Sequence, residues 1–220
     1  MKHQQSGFTL VEIAIVLVII GLLLGGVLKG QELINSAKAK SYAQDFRTIQ
    51  SALYGFQDRF KGIPGDLVSA STKISGGATN ATTTNAGNGQ INGVWDTVTL
   101  SNESCLAWQH LRLAGFLAGN TINDCATGSA YLQTNADGGR IGISSTMHIT
   151  GMTGSYNICS DGVLGKIAKQ LDTQLDDGVS NTGSFRIIVR ATAPAASGAA
   201  VVPSATLPDD STPYTVCLSF

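Results

Sequence analysis

At 220 residues and a formal net charge of −1, the chain suits one domain plus an appendage, and its balance argues against electrostatic capture of nucleic acid or of an acidic membrane surface. It is 43% apolar and only 13% charged, against roughly 25% charged in an average soluble protein.

The first element runs from Phe8 to Leu28, an apolar stretch broken only by Thr9 and Glu12. As a helix it would be roughly 31 Å long, enough to cross a bilayer core. A secretory signal peptide fits poorly. The apolar run exceeds the usual h-region of about 7–15 residues, and the only small-x-small site, Ala37-Lys38-Ala39, lies too far downstream. A plain membrane anchor explains the length but not Glu12, because a carboxylate near the bilayer centre costs roughly 2.5–3.5 kcal/mol. Nor does it explain why the polar leader ends at Ser6-Gly7.

Gly7 followed by Phe8-Thr9-Leu10-Val11-Glu12 and an unbroken apolar run resembles the class III signal of type IV pilins. That signal is shared by the pseudopilins of type II secretion and the pilin-like proteins of DNA uptake. The resemblance implies that a prepilin peptidase cuts between Gly7 and Phe8 and that the new amino terminus of Phe8 is N-methylated. Glycine suits the first step because a residue without a side chain lets a protease approach the backbone. The resemblance also gives Glu12 an assembly role, neutralising the Phe8 amine of a neighbouring subunit. Breaking such a buried pair leaves an uncompensated charge, so the pair can set axial register.

No proline occurs between Phe8 and Phe60, so one helix can continue to residue 60. Gly21, Gly25, Gly26 and Gly30 cluster at its centre. They suit close packing between helices, or a stretch that unwinds when the subunit leaves the bilayer. Beyond residue 40, Tyr42, Phe46, Ile49, Leu53, Phe56 and Phe60 recur on one helical face, and Lys40, Asp45, Arg47, Asp58 and Arg59 avoid it. That face should dock on a sheet.

Gly62 is the expected cap of this helix, with a turn at Pro64-Gly65. Residues 71–93 lack periodicity and read as an exposed polar loop. Asn80-Ala81-Thr82 and Asn102-Glu103-Ser104 fit the N-glycosylation pattern. Residues 101–120 read as a second helix, capped by Ser101 or Asn102 and stopped at Gly119-Asn120, with His110 as a packing residue. Strands are expected near Gly139–Ser144, Met147–Thr150, Tyr156–Ser160, Phe185–Ala191 and Tyr214–Leu218, with a short helix over Val163–Leu175. Residues 192–211, rich in Ala and Pro, read as a loop.

Cys105, Cys125, Cys159 and Cys217 all lie beyond the apolar segment, with no CxxC spacing to suggest zinc. Behind a membrane segment they point to two disulfides in an oxidising compartment. Of three pairings, Cys105–Cys125 with Cys159–Cys217 is favoured, because each bond would close a loop-rich region. The second would also resemble the disulfide-closed terminal region of many pilins. Asp176-Asp177-Gly178 and Asp209-Asp210 read as helix-end and turn residues. The resemblance brings a minor alternative, since some pseudopilins hold calcium in a carboxy-terminal loop, but neither pair has the spacing of an EF-hand, and the main expectation is no metal or other cofactor.

The expected fold is α+β: a pilin-like lollipop whose long N-terminal helix packs on an antiparallel sheet in a C-terminal globular head. Its parts are a leader (1–7), a transmembrane and polymerisation half-helix (8–28), an amphipathic half (29–60) and a head (61–220). No Walker A, GxSxG or HExxH pattern is present, so the expected role is structural rather than enzymatic. The resemblance implies a subunit of a type IV pilus, serving adhesion, motility or uptake. The alternative is a type II secretion pseudopilin in a periplasmic pseudopilus. The implied partners are identical or related subunits in a helical filament, the prepilin peptidase, an inner-membrane platform protein and an assembly ATPase. The chain would sit in the inner membrane with its head in the periplasm before assembly, then in an extracellular filament or a pseudopilus. Nucleic acid is not among the expected partners.

Overall fold

The computed structural model describes residues 9–126, 129–190 and 208–220. Two compact units divide the chain, residues 1–37 and residues 38–220. Helix α1, Leu10–Phe60, is continuous and contributes to both. Its glycines at 21, 25, 26 and 30 are all helical.

In the second unit the amphipathic stripe of α1 behaves as its spacing requires. Tyr42, Phe46, Ile49, Leu53 and Phe56 are buried, joined by Ala39, Ala43 and Ala52. Phe60, at the end of the stripe, is half-buried. The helix does not end on Gly62. Lys61 takes the left-handed conformation, with φ of 48°, and its amide donates to the Gln57 carbonyl at 2.9 Å. The expected turn follows, where the Asp66 amide donates to the Ile63 carbonyl.

Four shorter elements come before the main strands: α2 (Ala70–Lys73), α3 (Glu103–Leu113), β1 (Gln133–Thr134) and β2 (Arg140–Ser144). After them come β3 (Asn157–Leu164), α4 (Gly165–Leu175), β4 (Phe185–Val189) and β5 (Pro213–Ser219). Helix α3 stops six residues before the expected Gly119. Gly115 supplies the left-handed residue, φ 80°, that ends it. The Phe116 amide returns to the Leu111 carbonyl and the Gly115 amide to that of Arg112, a Schellman closure.

The five strands form one antiparallel sheet in the order β1-β2-β3-β5-β4. The segment expected as a strand at Met147–Thr150 joins no ladder of the sheet; it makes an isolated bridge at Ile149 and then a turn, with Ile149 and Met152 buried.

Both faces of the sheet are covered, and the alternation of strand side chains sorts them. Ile158, Ile187 and Val216 join the α1 residues and α4's Ile167 and Leu171 in the main core. Their chain neighbours Cys159, Ile188 and Cys217 pack with Trp95, Ile149 and Met152 in a separate cluster. A sheet buried on two sides loses the in–out polarity pattern, which is why β5 is buried from Tyr214 to Ser219. Each large side chain fully buried here contributes about 1.5–3 kcal/mol.

Candidate polymerisation segment and its head

The first unit begins with a reciprocal cap. The Glu12 amide donates to Thr9 Oγ1 at 3.2 Å, while Glu12 Oε2 accepts from the Thr9 amide at 2.9 Å and from Thr9 Oγ1 at 2.8 Å. Thr9 is the N-cap and Glu12 the third helical residue, so T-x-x-E is a capping box. The sequence contains that signature, although Glu12 stands out first as a charge in an apolar run.

Beyond the cap, the helix exposes apolar side chains on every side. Leu10 is 91% exposed, Leu22 73% and Leu28 67%. Its most apolar stretch is long enough to span a membrane and has none of its residues buried. A β-carbon added at Gly21, Gly25, Gly26 or Gly30 would meet nothing within 4 Å, so nothing among the described residues makes use of their smallness. Lys29 and Glu32 pair at 2.6 Å where the apolar run ends, both well exposed, an arrangement worth a few tenths of a kcal/mol (about 0.3–0.5). Gly7 and Phe8 lie outside the described residues.

In the head, disulfides join Cys105 to Cys125 and Cys159 to Cys217. The first ties α3 to the segment after it. The second links facing positions of β3 and β5.

The polar stretch at residues 71–93 is not simply exposed. Ile74, Ala78, Ala81 and Ile91 are buried. What sequence reasoning missed is the set of buried polar side chains that hold this stretch by its main chain. Asp66 accepts from the amides of Gly87, Asn88 and Gly89. Glu103 accepts from the Asn92 amide and side chain and from Thr83. His110 is fully buried; its Nδ1 accepts from the Gly65 amide at 2.9 Å and its Nε2 lies 2.7 Å from the Thr79 carbonyl. Burial holds the imidazole below its ordinary pKa. His110 therefore joins two loop segments to α3, the packing role expected of it. Asn102, one of the two glycosylation-pattern asparagines, donates its side-chain amide to Thr97 Oγ1 at 2.7 Å.

A second missed contact fixes the turn after β1. Asp137 pairs with Lys38 and accepts from the Tyr42 hydroxyl at 2.9 Å. Burial works to raise the Asp137 carboxyl, but the hydrogen bonds from Lys38 and Tyr42 outweigh it and hold the pKa below its usual value. Only long-range geometry could have found this pair, since 99 residues separate its charges.

Residues 2–28 match a known sequence family, described as the prokaryotic N-terminal methylation motif. No curated protein matches the chain.

Proposed function

From a chain that carries the class III prepilin signal of type IV pilins and pseudopilins at residues 2–28, we infer a structural subunit that is processed, N-methylated and polymerised into a type IV pilus. The observation that carries this reading is the methylation motif running directly into a helix whose apolar side chains are exposed on all sides. Such a surface is stable only in lipid or against other apolar helices.

The leader, residues 1–7, is removed by the prepilin peptidase, which cleaves between Gly7 and Phe8. The stem, residues 8–28, holds the subunit in the inner membrane with its head, residues 61–220, in the periplasm. The amphipathic half, residues 29–60, joins the two. A platform protein and an assembly ATPase then move subunits from the membrane into the filament.

Cleavage creates a positive amine at Phe8 that must be neutralised wherever stems pack without water. Glu12 is the one acidic residue of the stem. Its carboxylate already accepts hydrogen bonds from Thr9, and its remaining lone pairs can take the methylated amine of a neighbour. An interlocked pair of this kind costs about 3–5 kcal/mol to break from one side, enough to favour one axial register over its neighbours. The four open glycines let neighbouring stems approach closely.

The test is to shear surface filaments from the native host and determine the amino-terminal mass of this protein. An abundant chain starting at N-methyl-Phe8 is the expected result. The same processed chain confined to the membrane would favour a type II secretion pseudopilin or a scarce minor subunit, and an uncut chain starting at Met1 would defeat both readings.

A further inference from the structure

Helix α4 ends in a group of carboxylates that the filament reading does not use. Asp172, Asp176 and Asp177 each bring an oxygen to within 4.8 Å of the other two. Asp172 is only 1% exposed, and its Oδ1 accepts no hydrogen bond. Among the described residues no ion pair involves any of the three. Burial, and after it the charges of Asp177 and Asp176, push the Asp172 carboxyl up to about 6. Asp172 Oδ1 is a buried oxygen without a donor at the point where three acids converge; the Gly178 amide only partly offsets the rise in Asp172, and the positive charge of Arg186 acts on the exposed Asp177.

The surrounding loop holds the other two acids in place. Asp176 Oδ2 accepts from the Phe185 amide at 2.8 Å, at the start of β4. Asp177 accepts from the Val179 amide at 2.8 Å and from Thr182 Oγ1 at 2.7 Å. At Gly183, φ 68°, any β-carbon would lie 1.9 Å from Asp176 Oδ2, so the loop closes directly over that carboxylate. Each carboxylate oxygen retains a lone pair after one hydrogen bond.

We propose that Asp172, Asp176 and Asp177 bind a hard divalent cation of the calcium type, which clamps the end of α4 to the loop entering β4. The chemistry selects the ion class. An all-oxygen, carboxylate-rich set suits calcium or magnesium over zinc or copper. The three oxygens lie within 4.8 Å of one another, close enough to share one ion, and a loop-borne set suits calcium's flexible geometry at about 2.3–2.6 Å better than magnesium's strict octahedron at about 2.0–2.1 Å. Water and loop carbonyls complete the shell. The edge strand β4 is thereby fixed at its entrance, because Phe185 is held by the same Asp176 that takes the cation.

The experiment uses the full-length protein in detergent micelles, stripped with EDTA and titrated with calcium chloride, with magnesium chloride in parallel. Calorimetry and thermal unfolding are the readouts. Calcium should half-saturate on the order of 10⁻⁴–10⁻³ M, as in extracellular modules, and more tightly than magnesium. Tm should rise with its concentration. Asp172→Asn and Asp177→Asn should each weaken binding about tenfold or more. The second variant alters an exposed side chain, so it keeps the test valid where the first fails to fold. No heat and an unchanged Tm at about 10 mM calcium, well above that range, would overturn the proposal. So would asparagine variants that titrate like the parent. If a proton rather than a cation neutralises Asp172, Asp172→Asn raises Tm without calcium and calcium adds nothing to the parent, which also overturns it.

Discussion

Cys159 and Cys217 stand directly opposite each other in the ladder between β3 and β5, their Cα atoms 4.1 Å apart and both residues fully buried. The bond lies on the sheet face away from α1, against Trp95 and Met152. It closes a segment of 58 residues that includes α4 and β4, whereas Cys105–Cys125 closes only 20.

Chain-entropy reasoning therefore ranks the two bonds. The 58-residue closure is worth about 4 kcal/mol and the 20-residue closure about 3 kcal/mol. Replacing Cys159 and Cys217 together by alanine should lower unfolding free energy by about 2–5 kcal/mol, and more than the same change at Cys105 and Cys125. Urea denaturation of the full-length variants in detergent measures both, and equal midpoints would show that loop length does not govern the effect.

The capping box separates two consequences at the amino terminus. Thr9→Ala removes the cap and should cost the helix start about 0.5–2 kcal/mol while leaving a carboxylate for assembly. Glu12→Gln keeps one hydrogen-bonding oxygen but removes the charge. That variant should be cut and methylated at Phe8 yet accumulate in the membrane. Mass spectrometry of membrane and sheared fractions distinguishes them, and Glu12→Gln filaments at the parental level would remove the charge from the assembly step.

His110 and His148 are both buried, and burial lowers both imidazole pKa values from 6.5. The folded state then binds fewer protons than the unfolded chain below that value. Stability from these neutral rings is complete above about pH 6.5 and declines as pH falls below it. Asp172 acts in the opposite sense. Its raised carboxyl makes the cation-free fold lose stability as pH rises from about 4 to about 6. The clean comparison is therefore between the parent and His110→Asn, whose urea midpoint should depend less on pH between about 5 and 7. Parallel pH profiles would show that His110 does not titrate against folding.

Asp137→Ala should leave the Tyr42 hydroxyl without its acceptor inside a buried site, at a cost of about 1–3 kcal/mol. In the double variant with Tyr42→Phe that cost should fall, because the orphaned donor is gone. A double-mutant cycle reads the difference directly. Additive losses would mean that the two side chains act independently.

The long helix and the amphipathic stripe were readable because local periodicity decides them: Tyr42, Phe46, Ile49, Leu53 and Phe56 satisfy one spacing rule and share one core. Strands β2, β3, β4 and β5 were legible from short β-branched runs near where they occur. The segment at Met147–Thr150 was not, because it makes one bridge at Ile149 instead of a ladder and is buried by packing with Trp95, which clusters with Met147 and Ile149 and meets the His148 ring. The early end of α3 depended on which of two glycines, Gly115 or Gly119, closes the helix, a choice made by the Phe116 amide returning to Leu111. Residues 71–93 looked exposed because their apolar members are mostly alanines. Their burial depends on acids and a histidine distant in sequence. The Asp172 group was visible only in part, since Asp176-Asp177 reads as a turn until the fold brings Asp172 beside it.

The same loop has a consequence for variation. Asp66, Glu103 and His110 hold it largely through backbone amides and carbonyls. Every non-proline residue offers those groups, so the path of the loop depends little on which outward-facing residues it carries. Exposed positions such as Lys73, Thr84 and Gln90 are free to change type at little cost to the fold, which would let a displayed surface diversify rapidly under selection while its scaffold stays the same.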